Sequence, residues 1–222
     1  PTRLILLGDV KHTVATADWG EWQDVPDFFE ALQGLVPEIQ VVPGNHDGNL
    51  EPLLPESVKI LPSTGITLWS EFGLFHGHTW PAPELLGCQN LIIGHVHPVV
   101  AFRDPLGFRV TRQVWVKAGC DGTALTKSVL RHLKIGVGKD PVNLLRDRFH
   151  VEARASQLFI TPSFNEFLGG QSMNRKGVEK GAGPKMFMTP VLRSKSVDVE
   201  NAELHLLDGT FLGSIGQLRS LS

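Results

Sequence analysis

The chain has 222 residues, of which 41% are hydrophobic and 20% charged, and its formal net charge is −2. This length and composition are typical of a globular protein with one sizeable core, and we predict a single domain over residues 1–222. No apolar run approaches the roughly 20 residues that a membrane-spanning helix needs, and no signal-peptide pattern opens the chain, which predicts a cytoplasmic protein with no membrane partner.

The first predicted unit is a strand, a helix and a second strand. Arg3–Leu7 is an apolar run that ends in Gly8-Asp9. Asp24–Leu35 carries apolar residues at close to helical spacing. Ile39–Val42 is a β-branched run that leads into Gly44-Asn45-His46-Asp47. A strand–helix–strand unit implies two parallel strands, so the polar residues that follow them are expected at one shared edge.

Two further strands lead into histidines. Phe72–Phe75 runs into His76-Gly77-His78, and Leu91–Ile93 runs into Gly94-His95-Val96-His97. Shorter strands are predicted before them, at Val58–Leu61 and Ile66–Trp69. Four apolar strands therefore each lead into a short loop that carries Asp, Asn or His, which is where α/β proteins place their chemistry.

The second half is predicted to combine strands, two helices and a closing hairpin. In chain order we predict antiparallel strands within Val99–Val116, helices at Thr123–Leu133 and Val142–Phe149, a strand at Leu158–Pro162, a flexible basic loop over 171–186, and a hairpin of Val197–Leu207 and Thr210–Ile215. The two cysteines, Cys88 and Cys120, match no zinc spacing and favour buried thiols over a disulfide.

Charge is unevenly distributed along the chain. Residues 1–102 carry 3 basic and 12 acidic side chains, whereas residues 103–154 carry 11 basic and 5 acidic ones. An acidic first part suits a cation site. The basic stretch fits either a polyanion partner such as nucleic acid or a solvated helix face.

The four polar loops together predict a site for two divalent cations. Such a site needs hard oxygen ligands, imidazoles and a carboxylate that bridges the two ions and offsets their repulsion. We expect Asp9 to be the bridge and predict four other ligands, Asn45, His76, His95 and His97. His95 and His97 are two residues apart, so on an extended segment both side chains would reach one cluster.

These motifs resemble the calcineurin-like metallophosphoesterase superfamily. Gly8-Asp9, Gly44-Asn45-His46-Asp47, Phe75-His76-Gly77 and Gly94-His95-Val96-His97 match the last four motifs of that family in order. The resemblance implies an α/β fold of the αββα type, with two mixed sheets flanked by helices. It also implies that Asp9 bridges both ions and that Asn45, His76 and His95 complete the second metal, while His97 serves the first. His46 would be catalytic: it would donate to the phosphate and protonate the leaving oxygen.

A closer resemblance is to the small prokaryotic branch that includes ligase-associated DNA endonucleases. It rests on residues 8–12, on His76-Gly77-His78 and Pro98, on Pro162-Ser163-Phe164-Asn165 with Gly169-Gly170, and on residues 206–210. Two features depart from the family. The first Asp-x-His motif is absent, so we expect the segment that carries it to have been removed or to lie outside this chain. Residues 119–154 look like a basic insertion.

Four other polar residues are candidates for the surroundings of the site. His12 and His78 follow ligand motifs closely and are interpreted as supporting donors or substrate contacts, with an ordinary polar loop as the alternative. Asp47 is expected to hydrogen-bond a neighbouring histidine rather than to bind metal. Asn165 is a candidate for facing the site across the sandwich.

Hydrolysis of phosphate esters by a metal-activated hydroxide is therefore the expected function, with a phosphodiesterase or DNA endonuclease favoured. Mn²⁺ is the favoured ion, with Mg²⁺, Zn²⁺, iron and Ni²⁺ as alternatives. Two other functions stay open: a small-molecule phosphodiesterase or phosphomonoesterase, and a non-catalytic, metal-stabilised nucleic-acid-binding module. The expected partner is a phosphate ester, with DNA favoured. The oligomeric state is left open, with a homodimer as one option.

Overall fold

A three-stranded parallel sheet carries the first two polar loops. The computed structural model describes residues 1–14, 16–103, 105–165, 170–175 and 189–221. Its first sheet contains β1 (Arg3–Leu6), β2 (Glu38–Val41) and β3 (Lys59–Ile60), paired in that order and in parallel. Leu6 lies opposite Val41, so the predicted parallel pair is confirmed and both loops start at one edge.

Helix α1 (Trp19–Gln33) connects β1 to β2 and begins before the predicted start at Asp24. Its start is set by a capping box, in which the Asp18 carboxylate accepts from the Glu21 N–H and the Glu21 carboxylate accepts from the Asp18 N–H. The hydrophobic pattern missed this first turn because the first buried apolar residue of the helix is Val25. The buried face of α1 packs on the first sheet and on the 3-10 helix Glu51–Leu53.

The second sheet is mixed and contains nine strands among the described residues. They are β4 (Ile66–Leu68), β5 (Phe72–Phe75), β6 (Asn90–Ile93), β7 (Pro98–Arg103), β8 (Arg109–Gly119), β9 (Gln157–Ile160), β10 (Gln171–Ser172), β11 (Glu203–Leu206) and β12 (Phe211–Ser214). The order is β10-β7-β8-β9-β6-β5-β4, with β11 paired to β8 and β12 paired to β11. Because β5, β6 and β9 are parallel neighbours, their carboxyl ends meet at one edge.

Most predicted elements are present, with different ends. The antiparallel β7–β8 pair is confirmed, and β8 continues to Gly119, past the predicted end at Val116. The closing hairpin is also confirmed, with strands shorter than predicted. The predicted basic loop over 171–186 contains β10 at its start, and residues 176–186 lie outside the described residues.

Helices α2 (Gly122–His132) and α3 (Pro141–Phe149) form most of the predicted insertion. Leu125, Val129 and Leu145 are buried in the same core cluster as the inner residues of the second sheet. They pack next to the 3-10 helix Pro83–Gly87. Two shorter helices follow later in the described chain, α4 (Pro190–Arg193) and α5 (Ile215–Ser220). Both cysteines are free thiols, of which Cys88 is buried and Cys120 half-buried.

The α/β class is confirmed, and one detail differs from the prediction of two mixed sheets. The second sheet is mixed, but the described strands of the first pair in parallel only. The αββα arrangement itself stays a prediction. Within the described residues, none of the helices is long and apolar enough to span a membrane.

Candidate metal centre

Asp9, His76 and His95 form a group that could hold a metal ion. Their ligand atoms all lie within 4.8 Å of one another. His76 Nε2 is 3.1 Å from Asp9 Oδ2 and 3.2 Å from His95 Nδ1. These residues follow β1, β5 and β6, so the group is assembled from the carboxyl ends of strands in both sheets. The sheet topology therefore brings together three residues that are far apart in the sequence.

The hydrogen bonding of His76 determines which of its nitrogens faces the group. The imidazole is 1% exposed, and its Nδ1 lies 2.5 Å from the carbonyl oxygen of Leu7. A carbonyl only accepts, so Nδ1 carries the hydrogen and donates it. In the neutral ring Nε2 then presents a lone pair towards Asp9 and His95, where a metal ion, a proton or an N–H at His95 Nδ1 can satisfy it. A carbonyl that fixes the tautomer of a ligand histidine in this way is common in metal sites.

Burial and neighbouring charges favour the metal-binding forms of Asp9, His95 and His97. Burial alone would raise the pKa of Asp9, but the hydrogen bond and charge of His76, helped by the N–H of His46, lower it to about 2. Burial lowers the pKa of His95 to about 4, assisted by His76 and opposed by Asp9. Burial also lowers the pKa of His97. At neutral pH Asp9 is therefore a carboxylate, and His95 and His97 are neutral imidazoles, the forms of these groups that bind metal.

Three of the predicted ligands have left-handed backbone conformations. The φ angles are 54° at Asp9, 58° at His95 and 48° at His97. The prediction that His95 and His97 lie on an extended segment is therefore wrong. Positive φ is unfavourable for residues with a Cβ, and such conformations cluster at functional sites, where the surrounding structure maintains them.

Two glycines allow the first two polar loops to approach each other closely. A Cβ on Gly44 would lie 2.2 Å from Asp9 Oδ1, and one on Gly8 would lie 2.4 Å from the backbone nitrogen of Gly44. Gly8 also has a φ of 75°. Any larger residue at either position would separate Asp9 from the loop that follows β2.

Asp47 holds the two loops together through backbone amides. It is 6% exposed. Its carboxylate accepts hydrogen bonds from the N–H groups of Asp9 (2.7 Å), Val10 (2.8 Å), Lys11 (3.3 Å) and Gly44 (2.7 Å). The prediction that Asp47 hydrogen-bonds a histidine is therefore corrected: its partners are the amides of the loop after β1 and of its own loop. Asp47 thereby sets the conformation of the segment that presents Asp9.

Three other candidates are Asn45, His97 and His78, of which Asn45 lies between Gly44 and His46, two residues that both approach Asp9. Asn45 Oδ1 is buried and has no hydrogen-bond partner among the described residues, which makes it a candidate oxygen ligand for a cation. His97 lies outside the tight group but lines the same cavity. The ring of His78 lies 5.3 Å from that of His76, and its buried Nδ1 likewise finds no partner in the described chain. Carboxylate, imidazole and amide donors together fit a divalent ion.

His46 is held at both its backbone and its ring. Its N–H donates to Asp9 Oδ1 at 2.9 Å, and its Nδ1 lies 2.5 Å from the carbonyl oxygen of His12. Nδ1 therefore carries a hydrogen, and Nε2 is the nitrogen left for other partners. The ring of His12 is exposed, with its centre 6.3 Å from that of His46. The contact that His12 makes with His46 is thus through its backbone.

A cavity of about 500 Å³ opens beside these residues. It is lined by Leu6, Leu7, Gly8, Asp9, Val10, Lys11, His12, Phe28, His46, His76, Gly94, His95, His97, Thr161, Pro162, Ser163, Phe164 and Asn165. Asn165 is therefore on the cavity wall, next to a fully exposed Phe164. A space of this size suits a small molecule or one to two nucleotides.

Two residues that contact these loops had not been predicted from the sequence, Lys11 and Glu21. Lys11 lines the cavity, and its Nζ donates to the carbonyl of Thr13. The Glu21 carboxylate accepts from the N–H groups of His12 (2.6 Å) and Thr13 (2.8 Å). The Asp18-x-x-Glu21 capping box was a visible signal for Glu21, although not for its contact with the loop. No spacing rule singles out Lys11, although it lies within residues 8–12, which carry the closer family resemblance.

Glu21 is expected to make the protein sensitive to acid. Burial raises its pKa, but the Thr13 hydroxyl and the backbone N–H groups that it accepts from lower the pKa from 4.5 to about 2. A lowered folded-state pKa adds stability above the unfolded value, and this contribution is lost as the pH falls from about 4.5 towards 2. Glu21→Gln should lower the free energy of unfolding at pH 7 by about 1–3 kcal/mol and flatten its decline below pH 4.5.

Urea unfolding at pH 7, 4.5 and 3.5 measures this effect. Glu30→Gln, which replaces an exposed glutamate on the same helix, is the matched control and should follow the wild type. Parallel pH profiles for the wild type and Glu21→Gln would show that Glu21 carries no such linkage.

Comparisons with protein-family models, with curated proteins and with solved structures found no match to this chain. A functional interpretation therefore depends on the geometry of the site and on the motif resemblance.

Proposed function

We propose that the chain is a metal-dependent phosphoesterase of the calcineurin-like type. The observation that carries this proposal is the cluster of Asp9, His76 and His95. The buried Asn45 Oδ1, which has no hydrogen-bond partner among the described residues, is available as a further oxygen ligand. The order of the motifs along the chain supports the same family, as does their position after strands of two sheets. No nucleophilic serine or cysteine motif competes with this interpretation.

The residues of the site would hold two divalent ions, for which we favour Mn²⁺. Asp9, Asn45, His76 and His95 would hold one ion, and Asp9 with His97 would contribute to the other. Bound ions of this kind supply Lewis acidity and lower the pKa of bound water. His97 lies on the cavity wall outside the tight group, consistent with a role at a different ion from that of His76.

His46 is the residue that we assign to the leaving group. Its Nδ1 is occupied by the carbonyl of His12, so a proton on Nε2 is the one available for transfer. As water adds to phosphorus and the ester P–O bond breaks, the water would lose one proton to solvent and Nε2 would give its proton to the departing oxygen, which leaves as an alcohol. His46 would then regain a proton from solvent. The hydrogen bond from the His46 N–H to Asp9 ties the position of this proton donor to that of the metal ligands.

His46→Asn should lower kcat more for esters with poor leaving groups than for activated aryl esters. Removing a general acid typically costs about 10²–10⁴-fold when the leaving oxygen needs a proton, and much less when it does not. The measurement compares kcat for an alkyl phosphodiester with kcat for bis(p-nitrophenyl) phosphate. His205→Asn, at a histidine that pairs with Glu203 on β11, is the control. Equal losses on both substrates would argue against proton donation by His46.

For the substrate we favour phosphodiesters in DNA, because a basic and aromatic face adjoins the cavity. Strand pairing places Arg103 opposite Arg109 on the same face as Gln113 and Trp115. Arg103 and Arg109 form no ion pair within the described part of the chain, and Trp115 is 42% exposed. Cationic and aromatic side chains on one surface suit the binding of single-stranded DNA, because the cations contact phosphates and the aromatic rings stack on bases.

Gln113 connects this face to the cavity. Its Nε2 donates to the carbonyl of Ser163 at 2.8 Å, and to Ser163 Oγ at the same distance. Ser163 and the neighbouring Phe164 line the cavity. Single-stranded DNA bound along β8 would therefore reach the metal-binding residues without leaving the protein surface.

Manganese-dependent cleavage of circular single-stranded DNA, assayed beside bis(p-nitrophenyl) phosphate, tests the function. The proposal predicts turnover of both substrates and two ions per chain by elemental analysis. It also predicts DNA binding that weakens steeply as salt rises. Turnover of the aryl ester alone would indicate a small-molecule phosphodiesterase or monoesterase. DNA binding without turnover, with one ion or none, would indicate a non-catalytic binding module.

A further inference from the structure

Lys11 is a buried cation on the wall of the cavity. Its side chain is 3% exposed, and the residue lines the cavity together with Asp9 and His46. Nζ donates to the carbonyl of Thr13. No carboxylate lies within 4.0 Å of it among the residues that the structure describes. An ammonium buried without an anion is costly. A position on a cavity wall suggests that the anion arrives from outside.

Two consecutive residues, His12 and Thr13, here called the bracket, contact His46 and Lys11 through their backbone carbonyl groups. The carbonyl of His12 faces His46 Nδ1, and the next carbonyl, that of Thr13, accepts from Lys11 Nζ. The N–H groups of both bracket residues donate to the carboxylate of Glu21, and the Thr13 hydroxyl donates to it as well. Glu21, in the first turn of α1, thus holds the bracket in place. The bracket in turn positions the His46 ring and Lys11 Nζ.

We propose that Lys11 is a phosphate-binding residue, which with His46 forms an anion-binding edge of the cavity. An ammonium has three N–H donors, and the Thr13 carbonyl takes one, so two are left for the non-bridging oxygens of a phosphoryl group. The ligand class is a phosphate or a phosphate ester. This inference rests on the proposed function for its place in catalysis, but the binding of phosphate can be measured without turnover.

Titration calorimetry with inorganic phosphate tests the proposal on the purified full chain, at equal metal content in every sample. Lys11→Met should weaken phosphate binding at least about tenfold, the effect of one charge-assisted hydrogen bond. Lys11→Arg keeps the charge and should bind phosphate more tightly than Lys11→Met. Lys127→Met, at an exposed lysine on α2, is the matched control and should bind as the wild type does. Wild-type affinity in Lys11→Met, or no binding by the wild type, would overturn the proposal.

A second measurement covers the case in which Lys11→Met does not fold. In the wild type, the ¹⁵N resonance of the Lys11 ammonium, assigned by its absence in Lys11→Arg, should shift when phosphate is added. An unchanged resonance at saturating phosphate would overturn the assignment of Lys11. Ester turnover without this shift would leave the proposed function standing and reject the role of Lys11. A shifted resonance without ester turnover, under any metal tested, would keep the role of Lys11 and reject the proposed function.

Discussion

Asp9→Asn is expected to abolish phosphoester hydrolysis, with a loss of at least about 10³-fold in kcat/KM. Asparagine keeps an oxygen that can accept from the His46 N–H, which Asp9 Oδ1 accepts at 2.9 Å, so His46 should stay in place. What is lost is the charge beside His76 Nε2, now 3.1 Å from Asp9 Oδ2. Without that carboxylate, two neutral imidazoles and an amide are a much weaker site for a divalent ion.

Elemental analysis of the metal content and kinetics with bis(p-nitrophenyl) phosphate measure this effect together. Asp27→Asn, at an exposed position of α1, is the control for the loss of one carboxylate and should keep the wild-type metal content. A variant at position 9 that retains both its ions and its turnover would show that Asp9 is not a ligand. Retained ions without turnover would instead restrict Asp9 to orienting His46.

Asp47→Ala is expected to lower the free energy of unfolding by about 3 kcal/mol. The Asp47 carboxylate accepts from four backbone N–H groups, two of them in Asp9 and Gly44, and alanine would leave these donors without a partner. Because the same amides set the path of the loop after β1, metal affinity should fall together with stability. Asp47→Asn should also destabilise, since its NH₂ group would face N–H donors.

Urea unfolding, followed by tryptophan fluorescence, gives the change in stability. Asp147→Ala, at a side chain that is 74% exposed on α3, is the control and should alter the free energy of unfolding by less than about 0.5 kcal/mol. Asp47→Ala with near-wild-type stability would mean that water or rearranged loops satisfy the four amides.

The positions of the candidate ligands could be predicted because each one directly follows an apolar strand. The carboxyl ends of parallel strands lie at one edge, so polar residues after β1, β2, β5 and β6 were expected to meet. The strand Phe72–Phe75 was predicted with its observed ends, since its apolar run is short and is followed at once by His76. Pattern and spacing therefore anticipate the group that Asp9, His76 and His95 form.

The contacts around those ligands could not be predicted, because they depend on how irregular loops fold. Nothing local distinguishes the left-handed conformation of His95 and His97 from an extended one. Asp47 was expected to bond a histidine, since a side-chain partner can be guessed from the sequence, whereas four backbone amides converge only after both loops are placed. The link from Glu21 to Thr13 likewise requires the segment after Asp9 to return to the start of α1.

The left-handed conformations at Asp9, His95 and His97 also carry an energetic cost for folding. An isolated residue with a Cβ adopts this conformation at a cost of about 1–2 kcal/mol, whereas glycine adopts it freely. Glycine at these three positions would remove that local cost. The chain instead has one aspartate and two histidines there, a local frustration between folding and chemistry of the kind expected where selection acts on a site.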